Sequence, residues 1–345
     1  MAEYAGLTEL IWLTDDARAE NIHREYLLEI LFAQVAISER SMSPASREPV
    51  SSAIVVFSTD AAVVDPALLD FFKANPDNIY VALSNESLNH DTACYAALRT
   101  VIRPYFDPRI GQENTCFIPN GSVNGHHNPE LEFDFAQRDL TWTFAGAIKA
   151  DRAEMIGQLA VIDRHFIHLT SGWMTSDGLR PDDVKTIYRR TVFVPCPTGN
   201  IHPDSLRIME ALEWGCIPVT VRFKGLDYFR SVFGDHPFVV ARDWGDARSQ
   251  MRKLLEDPAA LRQRQVLVAQ WYRTFRSDLA RDMADLVEGR KRVAELTSAQ
   301  FRSQRQSRAR RIDRIVYELH FSNRALPRQY RLLIRRLKAL IARYG

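Results

Sequence analysis

The sequence predicts an α/β fold in two domains, each a parallel sheet with its helices, followed by a helical basic tail. Three observations predict it. A chain of 345 residues suits two domains of about 100–200 residues each. Short β-branched apolar runs alternate with segments of helical period, as at 53–58, 66–74 and 78–83, the order expected of strands joined by helices. Finally, 191–222 reads as strand, loop, helix and strand in direct succession.

Composition narrows the class. A hydrophobic share of 46% and a charged share of 26% belong to a globular chain and exclude a disordered one. Residues 1–14 carry Glu3 and Glu9 and lack a basic leader, and no run reaches the roughly 18 apolar residues of a membrane span. A cytosolic chain without an anchor is expected. Cys94, Cys116, Cys196 and Cys216 have no C-x-x-C spacing and read as core or loop thiols in a reducing compartment. His126 with His127 and His165 with His168 lack Cys or carboxylate neighbours at zinc spacing, and no D-x-D triplet occurs. No metal site is therefore expected.

Taken in order, 7–13 is a first strand and 18–38 a helix, its apolar positions Ile22, Tyr26, Leu27, Ile30, Leu31 and Val35 following a helical period. The proline-containing run 41–52 is a loop. Residues 53–58 form a buried strand, 66–74 a helix and 78–83 a strand ending at Ser84-Asn85-Glu86-Ser87. Carboxyl ends of strands in an open α/β sheet gather ligands and chemistry, which makes Glu86 a candidate base. A strand-end Glu serves equally as a loop cap, and His90 and Asp91 are rival bases. A helix at 91–100 leads to the segment 101–109. The turn Pro119-Asn120-Gly121 then either brings backbone close to a ligand or simply turns the chain. Residues 128–140, with Pro129, Glu130, Glu132 and Asp134, are the interdomain connection.

The second domain begins with a strand at 141–147. It ends at Gly146 and meets Lys149 and Arg152 where a helix, 152–162, starts, a phosphate-cradling arrangement; the plain alternative is a pair of solvated loop charges. A strand at 165–171 follows. The run 191–194 is a buried strand, and Pro195, Pro197, Gly199 and Asn200 then impose a loop. A helix is expected from Pro203, with Asp204 and Ser205 in its first turn and Gly215 as its C-cap, before a strand at 217–221. Tyr228 and Phe229 either stack on a base or plug the core. A last strand at 237–241 precedes helices at 246–255 and 258–296.

At 100° per residue, Ile208, Met209 and Leu212 share one helix face, with Arg207 and Glu210 on the other. A guanidinium there forks onto phosphate oxygens, and a carboxylate one turn deeper accepts hydrogen bonds from vicinal hydroxyls of a ribose. The bland alternative is an intrahelical Arg207–Glu210 pair worth about 0.2–0.5 kcal/mol.

The run S-x-R-x-x-E-A-L-x-x-G-C-I-P-V, carried by Ser205, Arg207, Glu210, Ala211, Leu212, Gly215, Cys216, Ile217, Pro218 and Val219, resembles the C-terminal signature of the exostosin-like glycosyltransferases (family 47). Phe193 to Gly199 is similar to that family's lead-in. Phe144, Gly146 and Arg152 look like its second motif. Arg103, Tyr105, Pro119, Asn120 and Gly121 match a looser one, with Asn120 where the family has Leu. The resemblance covers residues 80–290 and implies the GT-B arrangement, two Rossmann-like domains facing a cleft. On this basis 1–135 is the acceptor-side domain, 136–296 the nucleotide-sugar domain and 297–345 the tail. It also implies transfer of a sugar from a UDP- or GDP-linked donor to a glycan or lipid-linked glycan, with no cofactor and no metal. Ser205, Arg207, Gly146, Lys149 and Arg152 would meet the donor phosphates and Glu210 its ribose. Glu86 would take the acceptor proton, although the family's Ser-Asp-Glu reads Ser84-Asn85-Glu86 here. Trp271, Tyr272 and Phe275 are expected where the final helices cross back to the first domain.

The tail is distinctive. Residues 301–345 hold 12 Arg and 1 Lys against Asp313 and Glu318, a net +11, which leaves −9 for the rest of a chain whose total is +2. Pro327 divides two amphipathic segments. Such asymmetry points to an anionic partner: the tail could lie on anionic lipid, dock on a partner or pack on the chain's own acidic body, with a membrane surface fitting the composition best and nucleic acid less well, since no binding module is present. The functional expectation is a cytoplasmic glycosyltransferase, peripheral at the inner face of a bacterial membrane, in surface polysaccharide synthesis. The alternative is a non-catalytic nucleotide-sugar-fold scaffold acting through the tail.

Overall fold

The computed structural model describes residues 7–14, 21–58, 65–83, 86, 93–110, 113–199 and 201–321. Two all-parallel sheets organise the chain. The first runs β2-β1-β3-β4-β5-β6, from β1 (Thr8–Leu13), β2 (Ile37–Met42), β3 (Ile54–Ser58), β4 (Ile79–Leu83), β5 (Thr100–Arg103) and β6 (Thr115–Phe117). The second runs β11-β10-β9-β7-β8, from β7 (Leu140–Gly146), β8 (His165–Leu169), β9 (Thr191–Pro195), β10 (Ile217–Val221) and β11 (Val239–Ala241). The connection 128–140 joins them through a 3-10 turn at Phe135–Gln137. Parallel strands need cover on both faces. The helices supply it: α1 (Arg24–Tyr26), α2 (Pro66–Ala74), α3 (Arg152–Leu159), α4 (Pro181–Arg189), α5 (Arg207–Glu213), α6 (Tyr228–Phe233), α7 (Trp244–Leu255), α8 (Pro258–Val287), α9 (Ala299–Ala309) and α10 (Arg311–Phe321).

Several segments depart from the pattern. In its described part, the stretch expected as one helix over 18–38 contains a 3-10 turn, Asn21–His23, then α1 and a π-helical turn, Leu27–Leu31, before β2 pairs in parallel with β1. Strand pairing overrides the helical period, and β2 carries Ser38, Glu39 and Arg40 as an edge strand does. Arg24 and Trp12 both bond the Glu39 carboxylate, while Arg40 pairs with Glu9 and Glu48. The helix expected at 91–100 is a 3-10 helix, Ala93–Ala97, in its described part. The long helix expected to reach 296 stops at Val287, where Gly289 adopts φ 71°.

One hydrophobic core runs through both sheets; a second, smaller one lies on the far side of the first sheet, around Val55, Phe57, Phe72 and Tyr80. The two halves are tied by buried polar contacts. Glu213, fully buried at the end of α5, accepts from Asn128 N–H (2.6 Å), from the Tyr272 hydroxyl and from Arg276 (3.3 Å), which also reaches Glu29 O (3.4 Å) in the first half. The rings of Trp271 and Phe275 stay with Phe233 and Phe238 of the second half. Return to the first sheet is completed by α9. Gln304 there accepts from Phe117 N–H (3.1 Å) and donates to Phe117 O (2.7 Å), continuing the ladder past β6 with a side-chain amide. Arg308 donates to Thr115 O (2.8 Å). The basic segment from 299 to 321 is therefore built into the two-lobed body; Pro327 and the segment beyond 321 lie outside the described residues. Among the described residues no helix is long and apolar enough to cross a membrane.

Candidate active site

Two guanidinium groups meet where β7 gives way to α3. Arg207, the first residue of α5, donates from Nη2 to Ala145 O (2.7 Å) and lies 4.7 Å over the Phe144 ring. Arg152, the first residue of α3, donates to Ala147 O (2.9 Å) and Thr198 O (3.4 Å). Between them is Gly146 at φ 145°, where a Cβ would stand 3.1 Å from Arg207 Nη2 and 3.7 Å from Arg152 Nη1. Neither arginine forms a salt bridge with a carboxylate among the described residues, although the Asp151 and Glu86 carboxylates lie close enough to Arg152 to favour its charged form. Burial first, and the Arg207 charge second, push the Arg152 guanidinium down to about 10. Two like charges held at one Cβ-less residue favour an anion between them. Lys149 lies half-buried in the connecting loop.

The loop after β9 forms the floor of this site. Asp151 fixes its near end, accepting from Thr198 N–H (3.0 Å) and from the indole N–H of Trp244 (2.8 Å). Gly199 N–H closes a turn onto His202 O (2.8 Å). From the first lobe, Glu86 Oε1 accepts the N–H groups of Ile201 (2.7 Å) and His202 (3.0 Å). A Cβ on Gly199 would lie 2.4 Å from that oxygen, so only glycine admits the carboxylate. Asn120 N–H donates to Asp204 Oδ2 (3.1 Å), and the Tyr105 ring meets His202 edge-on at 5.1 Å. Residues beyond β4, β5 and β6 thus all reach one loop of the second lobe, the place where ligands gather in open α/β sheets.

These contacts explain why α5 starts late. The sequence suggests a first turn at Pro203 to Ser205; the structure begins the helix at Arg207 and gives it 7 residues. The N–H groups of 201 and 202 are committed to Glu86, and Asp204 serves Asn120 across the gap instead of capping its own helix. The intrahelical Arg207–Glu210 pair does not form, since Arg207 turns to Ala145 O. Glu210 is half-buried one turn along, and its carboxylate accepts no hydrogen bond among the described residues. Ser205 Oγ is buried without a partner among the described residues. Gly146, Arg152 and Arg207 come together, with Ser205 and Glu210 on the chain to either side of Arg207, and Glu86 arrives from the opposite lobe. The rival bases His90 and Asp91 lie outside the described residues.

Three buried charged residues have surroundings that the sequence did not foretell, although Asp204 and Arg103 each stood in a motif. Asp204 is 2% exposed, and burial, with Glu86 adding to it against the Asn120 N–H, raises its carboxyl to about 8. Arg103, at the end of β5, is 1% exposed and leaves Nη1 without a partner; burial lowers its pKa. Glu213 is the buried hub described above. The available signal was a charge on an otherwise apolar helix face for Glu213 and a basic residue closing an apolar strand for Arg103; Asp204 gave none beyond its motif.

No protein-family model matches this sequence, and no curated protein matches it in sequence. Solved structures do match in fold. The DNA-modifying enzyme β-glucosyltransferase, studied in the presence and absence of the substrate uridine diphosphoglucose, has a TM-score of 0.51 at 9% identity over 81% of this chain and 99% of its own. A sucrose-phosphate synthase from Thermosynechococcus elongatus has a TM-score of 0.50 at 13% identity over 82% of this chain and 98% of its own. The chain accordingly has an α/β fold of the GT-B type, two parallel-sheet lobes with the candidate site between them.

Proposed function

We propose that this chain is a glycosyltransferase of the exostosin-like class, moving a sugar from a UDP- or GDP-linked donor to a glycan or lipid-linked glycan acceptor. The observation that carries the reading is the pair Arg152 and Arg207, converging on Gly146 with no salt bridge to either guanidinium among the described residues. In this reading the diphosphate lies between the two guanidinium groups, close to backbone because Gly146 has no side chain. Lys149 adds charge, Ser205 Oγ donates to a phosphate oxygen, and Glu210 accepts from ribose hydroxyls. Transfer forms a bond from the acceptor oxygen to the anomeric carbon as the bond to the diphosphate oxygen breaks, and the nucleoside diphosphate leaves with the electron pair. The guanidinium groups stabilise that developing charge without a metal. Inversion would require a base for the acceptor proton; Glu86 takes that role only after releasing the N–H groups of Ile201 and His202, and otherwise positions the loop. The site of action in this reading is the cytoplasmic face of a bacterial membrane, in surface polysaccharide synthesis, with the basic tail on anionic lipid.

The test is release of nucleoside diphosphate from panels of UDP- and GDP-sugars, with and without a metal chelator. The reading expects release from one nucleotide series, insensitive to chelation and lost in Arg207→Ala. The engagement of Glu86 by backbone favours one rival, a nucleotide-sugar-fold scaffold without catalysis. Nucleotide binding with no turnover of any donor would establish the rival. NMR of the product anomer decides whether a base is needed at all.

A further inference from the structure

A second basic pocket lies on the far side of Tyr228 from the candidate site, and nothing in the donor reading uses it. Tyr228 is the partition: its ring stands 4.9 Å from His202 on one side, and it lines a cavity of about 260 Å³ on the other. The cavity walls come from three separate pieces of chain. The turn after β10 brings Arg222, α6 brings Arg230 and Ser231, and the α9–α10 junction brings Ser307, Arg310 and Asp313. Three guanidinium groups thus face two carboxylates, the second being Asp227. Both carboxylates are already engaged. Asp313 accepts from Ser307 Oγ (2.8 Å) and pairs with Arg310 (3.2 Å); Asp227 accepts from Arg230 N–H (3.4 Å) and stands 3.5 Å from His236. Ser307 in turn shares a hydrogen bond with Ser231 at 2.7 Å, deep in the wall. Arg222 makes one long bond, 3.4 Å to Gly225 O, and Arg230 pairs with the exposed Asp235. Of the three guanidinium groups, Arg230 and Arg310 are held by Asp235 and Asp313, and Arg222 has no salt bridge among the described residues.

Tyr317 of α10 also lines the cavity. Planar guanidinium groups from different elements suit the several oxygens of a phosphoryl group better than a lone carboxylate.

We propose that this cavity is a second anion site, distinct from the one at Arg152 and Arg207, which binds a phosphoryl group through Arg222, Arg230 and Arg310. The group belongs either to a soluble phosphoester or to a lipid headgroup. The inference stands apart from the transferase reading, because it requires no sugar donor.

Isothermal titration of the full chain with inorganic pyrophosphate tests it. The wild type is expected to show two sites, of which Arg207→Ala removes one and Arg222→Ala/Arg230→Ala weakens the other at least about tenfold. Both substituted arginines are exposed and make only surface bonds, so thermal unfolding should be unchanged and the loss attributable to the site. A single site that vanishes in Arg207→Ala, or a second site indifferent to Arg222→Ala/Arg230→Ala, overturns the proposal. Flotation with phosphatidylcholine vesicles, with and without phosphatidic acid, separates the sources. Loss of acid-dependent flotation in the double variant assigns the site to a headgroup, while flotation unchanged beside lost pyrophosphate binding assigns it to a soluble phosphoester.

Discussion

Asp204→Asn should change how stability depends on pH, because the lobes enclose a carboxyl that ionises freely only in the unfolded chain. Burial raises Asp204 from 3.8 to about 8. A carboxyl raised in this way stabilises the fold fully below its unfolded pKa, and that contribution is lost as pH climbs toward the folded value. Between these limits the folded chain holds one proton that the unfolded chain has released. The slope is then about −1.4 kcal/mol per pH unit, or roughly 3 kcal/mol from about pH 5 to pH 7. Asparagine retains an oxygen for the Asn120 N–H and cannot ionise. Urea unfolding followed by tryptophan fluorescence at several pH values supplies the assay, and the difference between wild type and variant cancels every other titration. The variant should gain on the wild type by that slope as pH rises. Parallel curves for the two proteins would refute a protonated Asp204 between the lobes.

Three further outcomes follow from the same contacts. Glu213→Ala should lower stability by about 3–5 kcal/mol in thermal unfolding, since it leaves Arg276 and Tyr272 facing an emptied buried site. Gln304→Leu should cost about 1–3 kcal/mol by stranding the buried N–H and C=O of Phe117; limited proteolysis should then cut near α9 first. Gly146→Ala places a methyl 3.1 Å from Arg207 Nη2 at a φ that side chains rarely adopt. It should weaken nucleotide binding at least about tenfold, with a loss of no more than about 3 kcal/mol in stability.

Much of this was legible because local and tertiary preferences agree. The run 217–221 is apolar and β-branched and forms an interior strand of the second sheet, Ile217–Val221, between β11 and β9; Asp65 and Pro66 announce α2, whose first turn Asp65 caps. Arg207 and Arg152 were singled out from their position after strands, and they converge on Gly146. What failed to read was whatever depends on the other lobe. The edge strand β2 looks helical until β1 is beside it. The delayed start of α5 follows from Glu86, far away in sequence, holding 201 and 202. Asp204 reads as a helix-capping acid and serves instead as a buried acceptor for Asn120. The composition of the basic tail left open whether it packs on the body, and Gln304 and Arg308 of its first part do so by finishing the edge of β6.

Calorimetric titration with UDP and GDP bears most directly on the donor site. One of the two nucleotides should bind the wild type, and Arg152→Ala and Arg207→Ala should each cost about 1.5–3 kcal/mol of binding free energy, roughly tenfold to 150-fold in Kd. Undiminished binding in both variants, or no binding of either nucleotide at millimolar concentration, would contradict a diphosphate held between these two arginines.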